Sequence, residues 1–463
     1  MAKNSTRPHR NFADMKHIQL KRGLDIPISG APEQNVRPGT MISRVALLGD
    51  DFIGMKPTLA VEAGNRVKVG QPLFTDKNIP GVVYTSPGCG TVLSVNRGEK
   101  RRFVSLIIAL EGDECVCFLD DPGKNPQALP PEEIRATLVA SGLWCSLRTR
   151  PFGRIPAIDS NPASLFITAI DSEPLAVDPQ MVIARNPGDF RLGLQILRRL
   201  VTSPIHLCSA GGLTDLPEMV DFHSWTFSGP HPAGLPSTHI HFIDPVGEKK
   251  TVWQIGYQDV MAIGHLFHTG SLQTERVVSL AGPGVRHPGL LTTRLGAFVP
   301  EICAREIDDD RPCRLISGSV LSGRQADGLT GFLGRYHNQI SVVHEDNGRS
   351  LFNWLMPGRN RFSIKPLFLS ALNHSRKLPM PTALWGGRRA IFPLGTYEQV
   401  MPLDIIATSL LKSIAVQDTE KSRDLGCLEL IEEDLALCSF VCPGKNDFGP
   451  MLRQLLTTIE LEG

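Results

Sequence analysis

"LFTDKNIPGVVYTSPGCGTVLSV", Leu73 to Val95, decides how the first third of this chain folds. Its apolar residues fall in short runs, "VVYT" and "TVLSV", separated by Pro80-Gly81 before the first and Pro87-x-x-Gly90 between the two. Proline pre-sets the backbone for a turn and glycine accepts left-handed φ, so the stretch predicts antiparallel hairpins rather than a helix. The same grain runs outward through "RVALLG", "RVKVG" and "FVSLIIAL". Residues 16–112 are therefore predicted to form a small two-layered module of short strands.

Such a hairpin is similar to the one that carries the swinging-arm lysine of lipoyl and biotinyl domains. There an exposed Asp-Lys pair occupies the tip of the turn. Asp76-Lys77 is present here, but Asn78-Ile79-Pro80-Gly81 follows and makes a turn of its own, which moves Lys77 off the tip. The module reads as a barrel-sandwich hybrid without carrier chemistry. A free-standing carrier acting through Lys77 is the alternative.

The chain has 463 residues, too many for one core, with 41% apolar and 21% charged residues, as in ordinary globular proteins. A formal charge of +1 gives no field for nucleic acid, so that partner class is not expected. No apolar run is long enough to span a bilayer, and the basic, polar start "MAKNSTRPHRNFAD" lacks the apolar core of a secretory signal. Ten scattered cysteines are too sparse for a disulfide scaffold and read as reduced thiols.

Beyond the module the period changes. "QALPPEEIRATLVASGLW" reads as a helix with Glu132 and Glu133 at its positive end. "SLFITAID", "NPGDFRLGLQILRRLV" and "PIHLCS" read as strand, helix and strand. In the helix, Asn186 is placed as N-cap, Pro187 at the first position, and Phe190, Leu194, Leu197 and Val201 on one stripe. That order predicts a βαβ unit in a parallel sheet. At such a strand-to-helix junction a glycine-rich loop would receive phosphate. "SGLWCSLRTRPFGRIP" instead carries Trp144, Leu147, Arg148, Arg150 and Phe152, which fill that space. The two arginines are read as a solvated loop, as partners for an acidic partner surface, or as partners for cofactor phosphate from a neighbouring subunit.

"STHIHF" is read as a strand bringing His239 and His241 to one face, with His231 upstream. Structural histidines are expected, with a metal site as the alternative. Near the end, Cys438-x-x-x-Cys442-Pro443 matches the close of a ferredoxin-type cysteine run, but the two preceding ligand positions are Leu435 and Glu432. Cys427 is nearby at the wrong spacing. The run is expected to be a remnant that holds no cluster; an iron–sulfur carrier is the alternative. Flanking helices are predicted from Ile406, Leu410 and Ile414, and from Leu452, Leu455, Leu456 and Ile459.

Together with "KRGLDIPISGAPEQ", "VALLGDDFIGMKP", "YQDVMAIGHLF", "LISGSVLSG" and "LGRYHNQISV", these stretches resemble the NqrA family, part of the sodium-translocating NADH:quinone oxidoreductases. That family is related in turn to the RnfC component of the Rnf complex and to the NADH-binding component of respiratory complex I. The resemblance runs from Lys16 onward and implies a multidomain α/β fold. The expected order is a flexible tail (1–15), the barrel-sandwich hybrid module (16–112) and a helical connector with the former cofactor loop (113–160). A Rossmann-like αβ domain (161–273), a β-grasp domain of the SLBB type (274–346), a connecting segment (347–396) and a C-terminal helical domain (397–463) follow.

The resemblance also implies a peripheral subunit on the cytoplasmic face of the bacterial inner membrane, beside five partner subunits. That complex oxidises NADH, reduces ubiquinone to ubiquinol and exports sodium. NADH, FAD, FMN and the iron–sulfur centres are expected on the other subunits, with no catalytic residue, cofactor or metal in this one. Its implied part is in handling quinone. A quinone ring needs an apolar slot with one or two hydrogen-bond donors. "LLGDDFIGM", Leu47 to Met55, offers Gly49, Phe52, Gly54 and Met55, and "RTRPF" adds Arg150 and Phe152, although both phenylalanines could equally be core.

Overall fold

Turn residues close the first hairpin where the sequence places them. In the computed structural model, which describes residues 16–213, 219–307, 310–346, 357–373 and 375–462, Pro72–Asp76 pairs antiparallel with Val83–Thr85. The Val82 N–H donates to the Ile79 carbonyl at 3.2 Å and Gly81 has φ +87°, so Asn78–Gly81 forms the tip. Lys77 stands before it, exposed, its N–H held at 2.8 Å by the carbonyl of Lys56. Pro57–Leu59 completes this three-stranded sheet, which packs against a four-stranded one. The latter runs in the order Arg44–Leu48, Phe103–Leu110, Gly90–Arg97, Arg66–Val67. Val45, Leu73, Phe74, Tyr84, Val92 and Leu106 fill the space between.

The segment before Arg44 does not belong to these sheets. Lys16–Gln19 adds a parallel edge strand beside Phe222–Ser228, and Glu33–Pro38 one beside Gly289–Arg294. Both tie the start of the described chain to the two domains that follow.

The αβ domain is a six-stranded sheet ordered Lys16–Gln19, Phe222–Ser228, Ile205–Ser209, Leu165–Ala169, Val252–Gly256, Arg148–Arg150. All neighbours are parallel except the last pair. The expected βαβ unit is present: Leu165–Ala169, a helix at Pro187–Leu200 beginning after Asn186, and Ile205–Ser209 alongside. The stripe Phe190, Leu194, Leu197 and Val201 is buried. This helix lies against Tyr257–Thr269 at backbone contact, because a Cβ on Gly193 would strike the Val260 carbonyl and one on Gly264 the Asp189 carbonyl. The supposed cofactor loop is corrected in part: Arg148–Arg150 is an antiparallel edge strand of this sheet.

The β-grasp domain is a mixed sheet with Gln339–His344 and Glu275–Ala281 parallel at its centre. The C-terminal domain packs Ala407–Ala415, Ala436–Val441 and Phe448–Glu462 around Leu410, Leu411, Leu452, Leu455 and Leu456. The predicted stripe of the last helix is buried throughout. Ile406 departs from expectation, being 64% exposed just ahead of the helix, with Leu411 taking the inward place. No helix among the described residues is long and apolar enough to cross a membrane. The tail over 1–15 lies outside the described residues.

Candidate functional site

Two cavities meet at the segment Arg335–Tyr336, which the turn after Leu333-Gly334 carries from the β-grasp domain into the centre of the molecule. The first is a polar crevice of about 160 Å³ at the carboxyl ends of Leu165–Ala169 and Val252–Gly256. The helices that follow these two strands, Pro187–Leu200 and Tyr257–Thr269, pack together on one face of the sheet, and the crevice opens beyond the strand ends. Its lining includes Arg148, Thr168, Asp171, Glu173, Gln254 and Asp259. Burial, then Glu173, pushes the Asp171 carboxyl up to about 7. Thr168 Oγ1 and Gln254 Oε1 find no partner within the described chain.

The second cavity, about 50 Å³, is apolar and lies between the module and the β-grasp domain. Phe52, Tyr84, Leu143, Leu272, Leu295 and Leu333 line it. The Phe52 ring meets Tyr84 edge-on at 4.6 Å and Tyr336 at 6.4 Å. Cys145 closes one side, its thiol raised to about 12 mainly by burial.

Arg335 borders both cavities. Its Nη1 lies 3.0 Å from Asp259 Oδ1, its Nη2 donates to Ser146 Oγ at 3.0 Å, and its backbone N–H donates to Asp51 Oδ2 at 2.9 Å. Burial alone would lower the guanidinium pKa, but Asp259, Tyr336 and Cys145 together outweigh burial and hold it above its ordinary value. Tyr336 donates to the Cys145 carbonyl at 2.7 Å and lies under the Arg148 guanidinium at 4.5 Å. The partition is thus tied to the Asp51 loop, to Cys145–Ser146 and to Asp259 at once.

The six residues expected around quinone do not converge on one spot. Phe52 lines the apolar cavity, and Asp51 beside it pairs with Arg324 at 2.5 Å. Gly49 and Gly54 answer to packing: a Cβ would meet the Phe103 carbonyl at the first and the Arg154 guanidinium at the second, where φ is +73°. Met55 packs on the same core as Phe52. Arg150 is fully buried, reaching Ser237 and Glu433 at 3.4 Å, so neither the solvated loop nor the outward acidic surface holds. Phe152 turns into the C-terminal core, and its carbonyl accepts from Arg453 at 2.8 Å. Residues 150–154 thus clamp the C-terminal helices, with Arg154 bonded to Glu460.

The histidine reading needs correcting. Pro236–Ile243 is a helix, so residues two apart face different ways. His239 is buried, its Nε2 on the Ala233 carbonyl at 3.0 Å, and burial lowers its pKa to about 4. His241 meets Glu429 at 2.6 Å and the Asp404 N–H at 3.0 Å, while His231 meets Ser172 at 3.0 Å. Among the described residues no three His, Cys, Asp or Glu are arranged to hold a metal.

Cys427, Cys438 and Cys442 are all buried in the C-terminal core. Burial pushes the first two thiols up to about 12. It pushes Cys442 the same way, but donors from Tyr397 at 3.1 Å and Asn446 at 3.4 Å outweigh it and hold this thiol below its ordinary value. Where a ferredoxin run has thiolates, Leu435 is packed in the core and Glu432 bonds Arg453 through both oxygens at 2.5 and 2.6 Å.

Three family models match in chain order: the NqrA N-terminal barrel-sandwich hybrid domain over 18–111, the NqrA second alpha/beta domain over 129–272, and the NQRA C-terminal domain over 277–328. The NqrA protein of the Na(+)-translocating NADH-quinone reductase from Rhodopirellula baltica is 51% identical over 96% of this chain and 98% of its own length. Its namesake in Neisseria gonorrhoeae is 50% identical over 96% of this chain and 100% of its own. The chain belongs to the NqrA family. A third member, from Yersinia pestis, is 48% identical over the same share of the chain.

Within the family's fold, the sequence pointed to Phe52 but not to its partners. Arg335 and Tyr336 sit inside "LGRYHNQISV", a stretch that carried the resemblance without suggesting a role. An arginine, a tyrosine and a histidine crowded after a glycine turn were the available signal.

Proposed function

We propose that this chain is the quinone-handling, non-redox subunit of a sodium-exporting NADH:ubiquinone reductase, peripheral on the cytoplasmic face of the inner membrane beside five other subunits. The observation that carries this reading is the apolar cavity with one charged edge: Phe52, Tyr84 and the surrounding leucines offer ring-sized walls, and Arg335 supplies donors at the end. A quinone ring is flat and apolar with an acceptor at each end, which matches that division. Gly49, Gly54 and Met55 shape the loop that presents Phe52, while Arg150 and Phe152 hold the domain behind it. NADH, FAD, FMN and iron–sulfur chemistry would be supplied by the partner subunits. This chain's own work is to bind the ring, exclude water around it and orient a carbonyl toward Arg335.

Phe52→Ala in the assembled complex is the test. Losing the ring wall is expected to raise the KM for ubiquinone about tenfold, or about 1.4 kcal/mol, with NADH oxidation by an artificial acceptor unchanged. An unchanged KM and inhibitor response would overturn the assignment.

A further inference from the structure

From Pro357 to Leu394 the sequence contains seven lysines and arginines and neither aspartate nor glutamate. The chain as a whole is nearly neutral, at +1, so the charge here is a local concentration. The same segment holds seven of the seventeen large apolar side chains exposed among the described residues, including Leu372 at 82% and Leu384 at 70%. Apart from the short turn of helix at Leu369–Leu372, its described residues form no helix or strand.

The segment is nonetheless pinned in place. Arg361 lies over the Trp385 ring at 4.5 Å and the Phe368 ring at 5.9 Å, joining the two halves. The Leu369 N–H donates to the Pro357 carbonyl and the Arg389 N–H to the Gly444 carbonyl, both at 2.9 Å. Phe362 stacks on Phe440 of the C-terminal domain at 5.9 Å. The result is a fixed surface that presents leucines, a tryptophan and a phenylalanine among cations.

We propose that the surface formed by residues 357–373 and 375–394 lies on an anionic phospholipid bilayer, with its cations at the headgroups and Leu367, Leu372, Leu384, Trp385 and Phe392 at the acyl boundary. So many large apolar side chains exposed along one segment suit a contact surface. Basic residues interleaved with Trp, Phe and Leu suit the membrane interface, where each cation is drawn by negative lipid and each apolar tip is drawn inward. A protein partner would need both an acidic face and sockets shaped to irregularly spaced leucines; a bilayer needs neither. The inference deepens the peripheral-membrane part of the proposed function and rests on it.

The experiment is co-sedimentation of the purified full chain with vesicles of phosphatidylglycerol and phosphatidylcholine, against phosphatidylcholine alone. Binding to the anionic vesicles at low salt is expected, with weak binding to the neutral ones and loss of binding at high salt. Leu372→Glu with Leu384→Glu, and separately Arg388→Glu with Arg389→Glu, should each lower the bound fraction at least about fivefold. All four side chains are exposed, and an unchanged unfolding midpoint will show that the variants fold. Equal binding to neutral vesicles, binding indifferent to both variants, or no vesicle binding would overturn the proposal. So would variants that abolish co-purification with detergent-solubilised partner subunits while the parent chain ignores vesicles, since the surface would then serve a protein. Quinone cross-linking in the assembled complex is independent of all these outcomes, so failure here leaves the quinone reading standing.

Discussion

On one face of the Arg335–Tyr336 segment the walls are Phe52, Tyr84 and leucines; on the other they are Asp171, Glu173, Gln254 and Arg148. The polar crevice sits beyond the carboxyl ends of two parallel strands of one sheet, and it is the larger of the two cavities. The apolar cavity belongs to no single sheet. It exists because the Phe52 loop, the Leu143 turn and the Leu333–Arg335 turn, from three parts of the chain, meet without closing. Size and position favour the crevice as a site; chemistry favours the smaller cavity for a quinone.

The sharpest way to break this comparison is to remove the partition. Arg335→Met leaves Asp259 buried with only Arg276 beside it. Losing a charge-assisted hydrogen bond at a buried site costs about 1.5–3 kcal/mol, so a drop in unfolding midpoint is expected by calorimetry, with a raised KM for quinone. Arg335→Lys should recover part of the stability but less of the KM, because an ammonium cannot span Asp259 and Ser146 together. Full recovery of both by lysine would mean that charge alone matters at the partition.

A smaller effect distinguishes the crevice. The Asp171 carboxyl, pushed up to about 7 by burial and Glu173, lies above the unfolded value of about 3.9. Between those values the folded chain keeps a proton that the unfolded chain has released. The stability this group contributes is thus fully present below about pH 4 and falls as pH rises toward about 7. Asp171→Asn removes that dependence. Relative to the parent, the variant should gain about 1–3 kcal/mol between pH 5 and pH 8 in denaturant titrations. Asp434, also raised to about 7, is present in both chains and cancels. A constant difference across that range would show that Asp171 is ionised in the folded state. The KM for quinone should be untouched, which sets this side of the partition apart from the other.

The smallest effect belongs to Lys77. It is exposed before a tip formed by Asn78–Gly81, so Lys77→Ala should change stability by less than about 0.5 kcal/mol and leave turnover of the complex unchanged. Intact mass of the isolated chain should show no lipoyl or biotinyl addition.

Local patterns in the sequence carried much of the fold. Asn186-Pro187 and the stripe after it specify a helix, and Leu452 to Ile459 repeat at helical spacing, because capping and amphipathicity act within a few residues. Pairing across the chain was not legible. Nothing in "KHIQ" or "EQNVRP" names the distant strands that Lys16–Gln19 and Glu33–Pro38 join. "STHIHF" fits a strand or a helix equally over so short a run, and Pro236 at the first helical position decides for the helix. At the site, Phe52 could be singled out as an exposed-looking aromatic beside glycines. Arg150 and Phe152 could not be told from ligand-facing residues, because their true partners, Glu433 and the C-terminal core, lie near the far end of the sequence.

A photoreactive ubiquinone analogue cross-linked to the assembled complex bears most directly on the apolar cavity as the quinone's place. Labelled peptides should contain Phe52, Tyr84, Leu143 to Cys145 and Leu333 to Arg335, and excess ubiquinone should suppress the labelling. Labels confined to Gln254 to Asp259 and Gly318 to Ser322, on the other face of the partition, would contradict it.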